Sequence, residues 1–366
     1  MNRGVLHINT ERGWRGGERQ TFLLAVELAR RGYRNTIATR PGEPLAVAAR
    51  KEGIRVLPVR PWGEWDPVLA YRLARYAKAE NISILHAHTG HAVGLGALAK
   101  KMGRGRFRLV ATRRVDTPLA QNPFSRWKYA AVDGMAMVAT AVGDIAVQGG
   151  VPKHKIRVIH SGVNREGYPT SADRNRLRQE RGLAVDDVVV MTAGALVGQK
   201  DQATFLRAAK WLQGRVPKIK FVVCGEGPLR PVLEKSIVDL GLSAHVFLWG
   251  HRTDVVACTA LADVFVLSSV AEGIGGALID AMAVEVPTAA TRVGGLADLY
   301  EGPNAAELTP AGDAEALAKN VLWVLKDPAE AGRRVEQGRQ TAARFTARTM
   351  ADGYETLYNE VWGTPS

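Results

Sequence analysis

The stretch EGIGGALIDAMA, residues 272–283, gathers carboxylates and glycines where an apolar strand should give way to a helix. Glu272 follows VFVLSS (264–269) and so lies at that strand's carboxyl end. Gly273, Gly275 and Gly276 let backbone amides around Ile274 approach a ligand closely, and a helix N-terminus there favours an anion. Asp280 falls about two helical turns beyond and could reach the same place. An acidic cap on a glycine-rich turn is the alternative. Lys200, in GALVGQKDQATFLRAA (194–209), stands after another strand at a helix start, where an ammonium suits a diphosphate. A solvated surface lysine is the plainer alternative. GEGPLRPVLE (225–234) adds Glu226 and Arg230, and GHRTDV (250–255) adds Arg252 beside amides that could read a base.

The first half offers a second set. NTERGWRGGERQ places Gly16 and Gly17 directly before a helix, again an anion-ready N-terminus. It is neither GxGxxG nor a Walker loop, which disfavours a generic dinucleotide or P-loop domain. His86, His88 and His91 cluster after ISIL, but no nearby carboxylate or cysteine completes a ligand set and the chain has no DxD. No metal is therefore expected; His88 is read as a polar group of the site, with a structural histidine as the competitor. ATRRVDTPLAQNPFSRWKY (111–129) interleaves Arg113, Arg114, Arg126 and Lys128 with aromatic residues. That mixture suits an anionic acceptor or a membrane surface, with nucleic acid less favoured. No Ser-His-Asp or Cys-His grouping supports covalent hydrolysis.

These residues need a scaffold, and the hydrophobic pattern supplies one. Apolar runs at 5–9, 35–39, 55–59, 82–88, 108–112, 136–141 and 156–161 alternate with amphipathic stretches such as 18–32, 44–52 and 67–79. Continuous apolar strands between helices indicate a parallel sheet covered on both faces. After a polar, turn-rich stretch from Ser161 to Asp187, read as a linker, the alternation restarts. Strands are expected at 188–194, 219–225, 245–250, 264–269 and 287–291, and helices at 201–213, 228–240, 254–261, 276–284, 313–326, 329–345 and 349–362. The fold class is thus α/β, with two doubly wound Rossmann-like domains facing each other and ligands in the central cleft.

The 366 residues, 46% hydrophobic and 23% charged, suit two globular domains. Two cysteines without a CxxC fit a reducing compartment. The opening MNRGVLHINTERG lacks a secretory apolar stretch, and no run suits a transmembrane helix, so a cytoplasmic protein is expected. The net charge of +13 is unevenly spread. Residues 1–165 hold 28 Lys and Arg against 11 Asp and Glu, a net +17, and the remainder 21 against 25, a net −4. The basic half calls for a polyanionic partner, unless the charge serves solubility alone.

In order along the chain, GGERQTFLLAVELARRGY, HAHTGH, HSGVN, LVGQKDQATFLRAA, VVCGEGPLR, GHRTDV, ADVFVLSSVAEGIGGALIDAMA and PTAATRVGG resemble the retaining nucleotide-sugar glycosyltransferases of family 4. The likeness covers nearly the whole chain and implies the GT-B fold. It also implies an N-terminal acceptor-side domain over 1–164 and a donor-binding domain over 165–348, with a final helix (349–366) crossing back onto the first. By resemblance Gly16 and Gly17 approach the donor diphosphate, Lys200 neutralises it, and the backbone at Ile274 and Gly275 donates to it. Glu272 holds the donor sugar and His88 lies near the reacting sugar. Asp280 replaces the family's second glutamate, and Ala195 stands where an arginine commonly accompanies the lysine, leaving Arg252 or Arg19 as substitutes.

The resemblance implies metal-independent transfer of a sugar, with retained configuration, from a nucleotide-diphosphate sugar to a glycan or lipid-linked glycan. Cell-envelope synthesis of the lipopolysaccharide kind is the expected setting. Peripheral contact with the inner face of an anionic membrane is expected through the basic half. The rivals are a sugar-nucleotide epimerase of the same fold, a catalytically silent nucleotide- or glycan-binding protein, and a nucleic-acid-binding module.

Overall fold

The computed structural model describes residues 4–300 and 308–363. The last three residues of the expected final helix, 364–366, lie outside them. Internal packing divides the chain into two units, Met1–Asn164 with Thr346–Ser366, and Arg165–Phe345.

The first unit alternates strands and helices: β1 (Gly4–Ile8), α1 (Gly16–Arg30), β2 (Arg34–Thr39), α2 (Pro44–Lys51), β3 (Arg55–Pro58), α3 (Pro67–Ala79), β4 (Ile84–Ala87), α4 (Gly90–Met102), β5 (Arg108–Arg113), α5 (Pro123–Ala130), β6 (Gly134–Met137), α6 (Thr140–Gln148) and β7 (Ile156–Val158). All strands are parallel, in the order β3-β2-β1-β4-β5-β6-β7. The order reverses beside β1, so the carboxyl ends of β1 and β4 flank the switch point where open sheets bind ligands.

Helix α4 falls outside the expected helices. GHAVGLGALAKKM is apolar nearly all round, so it shows little amphipathic period, because it is wedged between the sheet and its neighbours. A Cβ on Gly96 would lie 2.6 Å from Leu109 Cδ1, and one on Gly94 2.9 Å from the Glu64 carbonyl. Strand β6 also begins and ends earlier than the apolar run suggests, since Thr140 already opens α6.

The second unit contains α7 (Arg174–Glu180), β8 (Val188–Ala193), α8 (Gln202–Leu212), β9 (Ile219–Cys224), α9 (Arg230–Asp239), β10 (Val246–Gly250), α10 (Val255–Ala260), β11 (Val264–Leu267), α11 (Gly276–Ala283), β12 (Thr288–Thr291), β13 (Leu308–Thr309), α12 (Ala314–Lys326) and α13 (Pro328–Arg344). Its parallel sheet runs β10-β9-β8-β11-β12-β13, again with a switch point, between β8 and β11. Helix α7 corrects the linker reading. It docks through a polar anchor that a hydrophobic pattern does not reveal. Buried Arg178 pairs with Asp263 at 2.7 Å and donates to the carbonyls of Leu261, Val185 and Asp187.

The last helix, α14 (Ala347–Gly363), belongs to the first unit. The return begins at Thr346, which bridges Val163, and Ala347 N–H donates to the Val163 carbonyl at 3.0 Å. Tyr354 and Tyr358 are fully buried there, and Arg31 on α1 pairs with Asp352 and Glu355. Gly162 sits where the chain returns: the Gln20 amide bonds both its N–H and its carbonyl, and a Cβ would lie 2.3 Å from the Thr346 carbonyl oxygen. Gly162→Ala should therefore cost about 1–3 kcal/mol, read as a lower urea midpoint with the fold retained.

Candidate active site

In the second unit, Lys200 and Glu272 meet. Lys200 ends a short 3-10 turn after β8, and its stem lies along Gly194. Its ammonium donates to Glu272 Oε1, which also accepts the Ser269 hydroxyl at 2.7 Å. Glu272 is only 7% exposed, so its charge needs this partner. The loops are fastened together around the pair. Ser268 Oγ donates to the carbonyls of Lys200 and Asp201 at 3.1 and 2.9 Å, and Thr291 Oγ1 donates to the Ser269 carbonyl at 2.5 Å. Gly295 N–H donates to the Glu272 carbonyl at 3.2 Å.

The glycine turn lies beside the pair. Gly275 has φ +67° and caps α11; a Cβ there would stand 2.3 Å from Leu296 Cδ2, so glycine is required on both counts. Ile274 is buried, while Gly273 and Gly276 are half-buried. A Cβ at Gly276 would meet open space. The first amides of α11 lack partners within the helix, as at any helix start, and can receive an anion.

The remaining predicted groups of this unit are already engaged. Asp280 is buried on α11 and accepts the Tyr168 hydroxyl at 2.6 Å. Glu226 is exposed and pairs with Arg230. Arg252 donates twice to Asp254, at 2.8 Å each, and Asp254 also takes Arg181. Asp254 is the first cause of the rise in the Arg252 pKa and fixes its charge. A substitute for the cation missing at Ala195 is thus bound to a carboxylate of its own. Ser269, Tyr168 and Asp254 were not legible as site neighbours, since isolated serines, tyrosines and aspartates carry no spacing signal.

In the first unit, Gly16 and Gly17 open α1, and a Cβ on either would meet nothing within 4 Å. Glu18 turns back to accept the Arg15 N–H at 3.0 Å and is itself buried. Arg19 follows in the same turn, half-buried.

The histidine cluster differs from the expected one. His91 is largely exposed, with a 3.8 Å approach to Glu11. The third member is His7, which β1 places opposite His86 of β4. Histidines inside two central apolar strands were the available signal. His7 Nδ1 and His88 Nε2 lie 3.0 Å apart, and His7 Nε2 meets Asn35 Oδ1 at 3.3 Å. His86 is held by Thr112 and Tyr358, each at 2.7 Å, and Tyr354 bonds the same Thr112. Arg114 faces the ring of His88 at 3.3 Å and bonds its carbonyl at 3.2 Å.

The three rings bring one nitrogen each within 4.8 Å of one another, a spacing compatible with metal ligation. The fit is poor. Five of their ring nitrogens are engaged by protein hydrogen bonds within the cluster, the sixth by the guanidinium, and that fixed cation opposes another. Burial is the first cause that drives all three pKa values down, His7 to about 4 and His86 and His88 well below their usual value, with Arg114 adding to it. The imidazoles are neutral at pH 7.

Of the basic acceptor residues, Lys128 is corrected: it is buried, pairs with Glu64 at 2.6 Å and bonds the Gly90 carbonyl. Arg114 is likewise spent on His88. Arg113 bonds the Thr117 carbonyl, and Arg126 is exposed.

A model of the family described as "Glycosyltransferase Family 4" matches residues 14–166, and one described as "Glycosyl transferases group 1" matches 173–341. EpsD of Bacillus subtilis (strain 168), whose name marks it as a glycosyltransferase, is 33% identical over 210 residues, 56% of this chain and 55% of that protein. The lipopolysaccharide core biosynthesis glycosyltransferase LpsE of Rhizobium meliloti (strain 1021) is 30% identical over 206 residues, 56% of this chain and 58% of its own. The chain thus spans little more than half of these relatives. The fold matches that of Anabaena Alr3699/HepE, solved in complex with UDP and glucose, with TM-score 0.85, 20% identity and coverage of 98% and 100%.

The depressed histidines set a pH dependence. A folded pKa below the unfolded value means that the unfolded chain binds more protons between the two. Stability is complete above pH ~6.5 and falls as the pH drops toward 4. For His7 alone the loss is on the order of 3 kcal/mol. Melting curves of wild type and His7→Gln between pH 7 and 4 should show the steeper decline in wild type; parallel declines would contradict it. With both sheets, both family matches and these two clusters in place, the chain belongs to the family 4-like glycosyltransferases of the GT-B fold.

Proposed function

We propose that the chain moves a hexosyl group from a nucleotide-diphosphate sugar to a hydroxyl of a glycan or lipid-linked glycan, with retained anomeric configuration. The observation that carries this is the Lys200–Glu272 ion pair beside the glycine-started helix α11. A cation and helix-start amides lie together there, which suits a leaving diphosphate, and the carboxylate beside them suits sugar hydroxyls. In the step itself the acceptor oxygen bonds the anomeric carbon as its bond to the diphosphate breaks. A donor phosphate oxygen takes the acceptor proton on the same face. Lys200 and the α11 amides stabilise the growing negative charge, and no metal is needed in this reading. His88, neutral and fixed by His7 and Arg114, would position the sugar. By its likeness to the family, the start of α1 at Gly16 and Gly17 would admit an anion. LpsE supports a lipopolysaccharide-like, cell-envelope acceptor, and the UDP complex of HepE supports a nucleotide-sugar donor. The reaction would run at the inner face of the membrane, with the basic first unit toward anionic lipid.

A catalytically silent nucleotide- or glycan-binding protein is the second reading. It is favoured by Ala195 and by the Arg252–Asp254 pairing, which commits one of the two candidate substitute cations to a carboxylate. A panel of nucleotide sugars scored by melting-point shift, then by transfer in EDTA, separates the two. At least one donor should raise the melting point and be turned over. Lys200→Ala and Glu272→Ala should each lower turnover by about 10²–10³-fold at a temperature where both variants remain folded, with a lower melting point for Lys200→Ala because it leaves the Glu272 carboxylate unpaired. Binding without hydrolysis or transfer would favour the silent protein.

A further inference from the structure

We propose that the exposed face of α3 and the loop before it form a docking surface for an anionic phospholipid bilayer. Large apolar side chains are exposed here together: Trp62 at 71%, Trp65 at 49%, Val68 at 66% and Tyr71 at 55%. Val68 and Tyr71 occupy one face of the helix, and Arg72, Arg75 and Lys78 continue that face toward its C-terminus, all exposed. Of the basic residues of 111–129, Lys128 and Arg114 are engaged inside the first unit while Arg126 is exposed.

Charge complementarity selects the occupant. Residues 67–79 contain no acid. The nearby carboxylates are consumed: Glu64 pairs with Lys128, Asp66 is buried and caps α3 by accepting the Leu69 N–H, and Glu80 pairs with Arg55. Among the described residues no carboxylate pairs with Arg72, Arg75 or Lys78, so the helix face presents positive charge behind the indoles of Trp62 and Trp65. The loop is anchored through Trp65. Trp65 stacks on Phe124 at 3.9 Å and on Trp127 at 5.7 Å, which fastens the loop to α5 and places exposed Arg126 on a neighbouring element. Trp and Tyr favour the bilayer interface, and a cationic amphipathic helix lies in its plane. No helix among the described residues is long and apolar enough to cross a membrane, so this surface would lie on it.

The inference deepens the peripheral-membrane part of the proposed function and rests on it. Its test needs no sugar donor, so failure here leaves the transfer reading standing. Co-sedimentation of the full chain is measured with vesicles of 30% phosphatidylglycerol in phosphatidylcholine, and with phosphatidylcholine alone. Wild type should bind the anionic vesicles at least tenfold more tightly than the neutral ones, and less tightly in 0.5 M NaCl. Trp62→Ser with Tyr71→Ser, and separately Arg72→Gln with Arg75→Gln, should each weaken binding at least tenfold with unchanged melting curves and unchanged nucleotide binding. Wild-type indifference to anionic vesicles, or undiminished binding by both double variants, would overturn the proposal. So would retention on a soluble oligosaccharide that requires Trp62 in a chain that ignores vesicles.

Discussion

The buried charge of Glu272 is the constraint around which the second unit is arranged. A carboxylate at 7% exposure costs several kcal/mol unless a cation and hydrogen bonds replace the water it loses. Lys200 and Ser269 supply both. Meeting that demand draws together the chain after β8, after β11 and after β12, through Ser268, Thr291 and the Gly295 amide. An apolar pair would hold these loops as well and at less cost. On the proposed reading, this ion pair at the sheet's carboxyl edge, beside a helix N-terminus, serves a ligand. A diphosphate can share the ammonium, which would free the carboxylate for sugar hydroxyls.

The first unit solves the opposite problem. The three clustered histidines, His7, His86 and His88, are held neutral by burial, and a guanidinium rather than a carboxylate stands against them. The final helix is part of this solution, because Tyr358 and Tyr354 carry its hydroxyls to His86 and Thr112. The helix is thus joined to the histidine cluster by hydrogen bonds as well as by its apolar face.

Much of this was legible from one sequence. Parallel strands covered on both faces leave unbroken apolar runs, and glycine-rich strand-to-helix turns mark the ligand edge, so the sheets and the Lys200 and Glu272 loops could be read directly. What escaped has a common physical character. Helix α4 shows no amphipathic stripe because it is buried nearly all round, and α7 docks by Arg178 rather than by apolar residues. His7 joins His86 only through strand register, which spacing along the chain does not encode. Lys128 and Arg252 looked like available cations until their partners, Glu64 and Asp254, came into view. Pairing is a tertiary fact, and charge counted along a chain overstates what a ligand meets.

The most direct measurement compares the affinities of a nucleoside diphosphate and the matching monophosphate, by calorimetry, in wild type and Lys200→Met. If the ammonium reads the second phosphate, wild type prefers the diphosphate about tenfold or more and the variant loses most of that preference while binding the monophosphate unchanged. An identical preference in both proteins would contradict the account, because the pair at the sheet edge would then be structural alone.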